Sequence, residues 1–76
     1  MKELLEFLAR ELVDEPDAVE VTESQDDRGL LLSLHVAPDD MGQVIGKGGR
    51  TARAIRSVVR AAGTRTGVHA SVEIVD

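Results

Sequence analysis

Between Lys2 and Val13 the apolar residues Leu4, Leu5, Leu8, Ala9 and Leu12 form one stripe of an amphipathic helix, with Glu3, Glu6, Arg10, Glu11 and Asp14 on the other side. Phe7 lies at the edge of that stripe beside Leu4, where it either caps a core or faces a partner. Asp14-Glu15-Pro16-Asp17 ends the helix, because the residue before a proline is pushed out of the α region. In AVEVTES, residues 18–24, Val19 and Val21 alternate with Glu20 and Thr22 as in a half-buried strand. Gln25-Asp26-Asp27-Arg28-Gly29 supplies turn chemistry. The run LLLSLHVA, residues 30–37, places Leu30, Leu32, Leu34 and Val36 on one face and Leu31, Ser33, His35 and Ala37 on the other. It reads as the central strand, joined to its predecessor by an antiparallel hairpin.

Pro38-Asp39-Asp40 suits a helix start, since proline fits the first helical position and acids there complement the dipole. Met41, Val44 and Ile45 give this short helix its apolar face, and Gly46 ends it in a left-handed cap. After Gly46-Lys47-Gly48-Gly49 the spacing predicts a second helix over residues 50–62, stopped by Gly63. Ala52, Ile55, Val58, Val59 and Ala62 form its apolar arc, and Arg50, Arg53, Arg56 and Arg60 its flank. VHASVEIV, residues 68–75, alternates again, with Val68, Ala70, Val72 and Ile74 inward. The order is α-β-β-α-α-β. A two-helix crossover permits parallel pairing of the last two strands, so the expected class is α+β: a three-stranded mixed sheet with three helices on one face. The other face, with Glu20, Thr22, Ser33, His35, His69 and Glu73, is polar enough to meet water.

Length limits what else the chain holds. Seventy-six residues make at most one domain, and a chain this short buries only about 60% of its unfolded surface, so a partner chain would add useful burial. Without cysteine there are no disulfides or thiolate metal sites. The N-terminal stretch carries acids inside its apolar pattern and lacks a small-residue cleavage site, and no apolar run approaches the roughly 20 residues that span a bilayer. The expectation is a soluble cytoplasmic protein.

The net charge of −5 argues at first against a polyanionic ligand. Its distribution changes that picture. Residues 1–40 hold twelve acids against Lys2, Arg10 and Arg28, a balance of −9, whereas residues 41–76 hold six cations against Glu73 and Asp76, a balance of +4. The positive half carries the glycine loop.

Three glycines in four positions cost backbone entropy, so the turn needs positive φ or something must approach its backbone closely. The following helix presents unpaired N–H groups and its positive dipole end beside Lys47 and Arg50, an arrangement suited to phosphate. A bland alternative is a tight helix-to-helix turn followed by a solvated arginine face. The βααβ context and the four arginines weigh against it. The loop is not a Walker A motif, because no Ser or Thr follows Lys47, nor a dinucleotide fingerprint, because a helix rather than a strand leads into it.

VIGKGGRTARAI resembles the signature of the KH RNA-binding domain: the apolar pair Val44-Ile45, the GXXG loop Gly46-Lys47-Gly48-Gly49, then Ala52 and Ile55 toward the core. The element order resembles the type II KH arrangement. Nearly the whole chain is similar to the KhpA family of small bacterial single-KH proteins, which implies one KH domain over residues 1–76. The resemblance implies that the loop clamps the backbone of about four single-stranded nucleotides. RNA-binding residues would be Val44, Ile45, Gly46, Lys47, Gly48, Gly49, Arg50 and Arg53, with the strand around Leu34, His35 and Val36 as candidate far wall. It further implies an RNA chaperone acting as a homodimer or with a KhpB-like KH protein, connected with cell shape and cell-wall growth. In this chain the variable loop pair is Lys-Gly, so only Lys47 reaches a phosphate from the loop itself.

With Phe7 as the only aromatic residue, recognition must rely on phosphates, apolar contacts and hydrogen bonds. No catalytic residue, metal ligand set or cofactor is expected. Ser33 and Ser71 lack an activating base, the Asp26-Asp27 and Asp39-Asp40 pairs read as a turn and a helix start, and His35 and His69, a metal pair if their strands are adjacent, read rather as two surface histidines with no carboxylate or cysteine partner at ligand spacing. The competing reading is a protein-interaction adaptor with weak or no RNA binding, motivated by Phe7, Leu31 and the acidic half.

Overall fold

The computed structural model describes residues 1–75. Helix α1 (Lys2–Leu12) is followed by a single 3-10 turn at Pro16–Ala18, then strands β1 (Glu20–Asp26) and β2 (Gly29–His35). A second 3-10 turn at Pro38–Asp40 leads into α2 (Met41–Ile45), and the glycine loop leads into α3 (Arg50–Thr66) and β3 (Ala70–Val75). The sheet order is β1-β2-β3, with β2 central, antiparallel to β1 and parallel to β3. The expected α+β class and α-β-β-α-α-β order hold.

Alternation along the strands puts Val21, Leu32, Leu34, Ala70 and Val72 on one face, all buried. Leu5 and Ala9 of α1, Val44 of α2, and Ile55 and Val59 of α3 pack on that face. The opposite sheet face is left uncovered, with Leu31 exposed between Ser24 of β1 and Ser71 of β3. Leu32, Leu34, Leu5, Val44 and Val59 are all essentially inaccessible, so the crossover helices and α1 share one core.

Asp40 is the one buried charged residue among those described, 2% exposed. Its Oδ2 accepts the Glu15 N–H at 3.1 Å, tying the end of α1 to the start of α2 across 25 residues. The side-chain amide of Gln43 lies 3.1 Å from both Leu12 O and Asp40 Oδ1; as both are acceptors, the amide nitrogen faces them. Asp40 therefore does more than complement a helix dipole. It fixes the angle at which α2 delivers the glycine loop.

Boundaries differ from the sequence pattern at several elements, among them β2, which ends at His35, two residues before the predicted run does. α3 runs through Gly63 to Thr66 and ends at Gly67, which takes the left-handed conformation (φ 77°, ψ 22°) with its N–H on Gly63 O and Thr64 O. Gly63 is needed for closeness, not for stopping: a Cβ there would lie 2.5 Å from Val68 O and 3.2 Å from the Ala70 Cβ. β3 begins at Ala70, because the Val68 N–H turns back to Gly63 O at 2.7 Å. β1 is shifted two residues along, since the 3-10 turn takes Ala18 while Asp26 still pairs with Gly29.

Three residues assigned to apolar faces from their spacing are substantially exposed: Leu12 at 39%, Ile45 at 39% and Val58 at 44%. Leu12 and Val58 join Phe7, 61% exposed, along a groove between α1 and α3 floored by Leu8 and Ile55. Of the two roles open to Phe7, capping the core is excluded.

Candidate nucleic-acid interface

Loop geometry follows from its glycines. Gly46 caps α2 at φ 75°, ψ 170°, a region essentially reserved for glycine, and so does not take the left-handed cap expected of it. Lys47–Gly49 makes one 3-10 turn in which Gly48 (φ 65°) and Gly49 (φ 79°) have positive φ. The Gly46 N–H bonds Gly42 O, the Gly49 N–H bonds Gly46 O and the Arg50 N–H bonds Lys47 O. These bonds leave the N–H groups of Lys47 and Gly48 without a backbone acceptor among the described residues. They lie next to the N-terminal end of the 17-residue α3. Free N–H donors, the positive end of a long helix dipole and exposed Lys47 and Arg50 thus lie together at one turn.

Of the apolar pair before the loop, Val44 is fully buried and seats α2 in the core. Ile45 is the member that reaches the surface beside Gly46. Gly46, Lys47, Gly48, Gly49, Arg50 and Ile45 are contiguous in the structure, and Arg53 stands exposed one turn further along α3.

At roughly 100° per residue, Arg53, Arg56 and Arg60 fall within about 60° of one another on one side of the buried arc of α3. The Arg56 Nε–H donates to the Val72 carbonyl at 3.4 Å, which identifies that side as the one facing β3. Thr51, Ala54 and Val58 lie on the other side, toward α1. The helix therefore separates a cationic flank from an apolar one. Among the described residues no carboxylate is within ion-pair distance of Lys47, Arg50, Arg53, Arg56 or Arg60, the one ion pair being that of the Met1 amino group with Glu3 at 3.8 Å. Unpaired cations are those best able to meet phosphates.

The strand expected as far wall, around Leu34, half-buried His35 and Val36, is the central one. β2 is hydrogen-bonded on both sides, and Leu34 and Val36 are buried, so neither offers an edge or a side chain to a ligand. The strand bordering the cationic flank is β3. In its parallel ladder the Leu30 N–H bonds His69 O, so residues 69, 71, 73 and 75 turn their backbone groups to β2. The N–H and C=O groups of Ala70, Val72 and Ile74 point to the open edge, and the Arg56 bond to Val72 O agrees with that. Arg56 was legible in the sequence only as one more flank arginine; its link to β3 depends on a contact 16 residues away.

His35 stands level with Val75 and His69 level with Gly29, at opposite ends of the sheet, about 20 Å apart at the strand rise. They form no metal pair, and among the described residues no group of three or more His, Cys, Asp or Glu could hold a metal ion. No described helix is long and apolar enough to cross a membrane.

Residues 2–74 match the family described as KhpA/KhpB, KH domain. The chain belongs to this family. It is 53% identical over 76 residues to the RNA-binding protein KhpA of Halalkalibacterium halodurans, covering all of both chains. It is 51% identical over 75 residues to that of Clostridium acetobutylicum, covering 99% of this chain and all of the relative. The Streptomyces coelicolor protein of the same name is 50% identical over 76 residues, covering all of this chain and 92% of its own. These relatives are named as RNA-binding proteins, not as enzymes. KH family membership accounts for the order of elements around the loop.

Proposed function

We propose that this protein binds single-stranded RNA through the Gly46-Lys47-Gly48-Gly49 loop and the adjoining cationic flank of α3. The observation that carries the reading is the convergence of two free loop N–H groups, the α3 N-terminus and unpaired Lys47, Arg50 and Arg53. The naming of the relatives as RNA-binding proteins supports it. Phosphate contacts provide most of the affinity, and the open edge of β3 faces the bases. Three phosphate contacts predict a slope of log K against log salt of about −2 for a single strand. Fluorescence anisotropy with a labelled short RNA at several salt concentrations measures it, and binding indifferent to salt would contradict the reading.

One domain with so small a footprint binds weakly, and a second RNA-binding domain raises the effective concentration. The working unit is accordingly a homodimer or a heterodimer with a KhpB-like KH protein, acting in the cytoplasm as an RNA chaperone. The exposed Phe7, Leu12 and Val58, on the side of α3 away from the arginines, support a partner surface there. A role in cell shape and cell-wall growth rests on the family resemblance. The same patch favours the second reading, a protein-interaction adaptor, which predicts tight protein association with no RNA binding at low salt.

A further inference from the structure

Proteins that hold single-stranded RNA stack its bases on aromatic rings or on arginine guanidinium planes. This chain has one aromatic residue, Phe7, and it lies on α1, across α3 from the cationic flank. His35 and His69 alternate with buried Leu34 and Ala70 and so lie on the sheet face away from the helices, which leaves arginine as the stacking platform on this flank. Arg53, Arg56 and Arg60 share the flank, but among the described residues only Arg56 has its guanidinium bonded to the sheet, through Nε–H to Val72 O at 3.4 Å. That bond spans the space between α3 and β3, and it leaves the Nη donors and the faces of the exposed guanidinium for a ligand.

We propose that Arg56 is the stacking platform for one nucleobase where the cationic flank of α3 borders the open edge of β3. The inference rests on the RNA-binding reading and adds a base contact to it. The tether matters because a free arginine loses rotamer entropy on ordering, whereas one already held at Nε loses less. The position matters because the unpaired backbone groups of Ala70 and Ile74 flank Val72 on the open edge, so a base lying on the guanidinium has polar partners at its rim. A lysine at 56 would keep the charge and lose both the plane and the tether. This separates stacking from a plain phosphate contact.

The test uses an eight-nucleotide single-stranded RNA and a set in which one abasic ribose is walked through its positions, with the parent and Arg56→Lys proteins compared at fixed salt. For the parent, affinity falls about fivefold or more when the abasic site occupies one particular position. Arg56→Lys loses a similar factor on the intact RNA, and the abasic site at that position then costs nothing further. Intact RNA bound equally well by Arg56→Lys, no position sensitivity in the parent, or unchanged sensitivity in the variant would each overturn the proposal. Failure of the underlying reading is distinguishable, because it appears as undiminished binding by Lys47→Asp. Thermal melting of Arg56→Lys confirms that the exposed substitution leaves the fold intact.

Discussion

Gly46 lies against the first turn of α3 so closely that a Cβ on it would be 2.7 Å from the Thr51 Cβ and 2.9 Å from the Thr51 N. The loop and the helix it feeds are therefore one packed unit. Gly46→Ala combines that clash with a backbone region barred to other residues, and should cost about 3 kcal/mol. Gly48 also has positive φ but no atom within 4 Å of its absent Cβ. Gly48→Ala should cost about 1 kcal/mol, the ordinary penalty of the left-handed region. Urea titration of both variants checks the ordering, and equal losses would show that the Thr51 contact is not limiting.

Removing the carboxylate of Asp40 leaves the Glu15 N–H without its acceptor and the Gln43 amide with Leu12 O alone. Asp40→Ala should destabilise by about 1 to 3 kcal/mol, while Asp40→Asn, which keeps one acceptor oxygen, should lose less. At this chain length each kcal/mol lowers the melting temperature by about 4–8 °C, so calorimetry resolves the two.

Gly63→Ala would improve an isolated helix by about 1 kcal/mol. In this fold the added methyl meets Val68 O and the Ala70 Cβ, and the strain of moving β3 away should outweigh that gain by about 1 to 3 kcal/mol. A variant more stable than the parent would mean that the α3 to β3 contact is looser than described.

The exposed apolar flank allows a test of association independent of RNA. Phe7→Asp and Val58→Asp alter side chains that are 61% and 44% exposed, so the fold should persist. Sedimentation should show dissociation to monomer and weaker RNA binding, with the melting transition retained. An unchanged mass would remove this groove as the partner surface.

The strands, the three helices and the loop were legible because alternation by two and by three to four is a local signal, and because KH order surrounds the GXXG motif. What escaped depends on packing between distant segments. Gly63 looks like a helix stop until Val68 and Ala70 are seen pressed against it. Asp40 and Asp39 are alike in sequence, yet only Asp40 is buried against the Glu15 N–H. Val58 and Ile45 fit an apolar face by spacing, but the arcs they extend are wider than the core that covers them. That β3 and not β2 has an open edge beside α3 escaped too, because strand order, not strand pattern, decides which edge is open.

The loop itself offers the most direct measurement. Lys47 is exposed and makes no ion pair among the described residues, so Lys47→Asp reverses the charge facing a bound phosphate without disturbing the core. Binding of a short single-stranded RNA to the parent and to Lys47→Asp, at matched low salt and with melting curves to verify folding, separates the two outcomes. The account predicts that the folded variant loses affinity by about tenfold or more and that crosslinking to RNA disappears. A folded Lys47→Asp protein that binds RNA as tightly as the parent would contradict it.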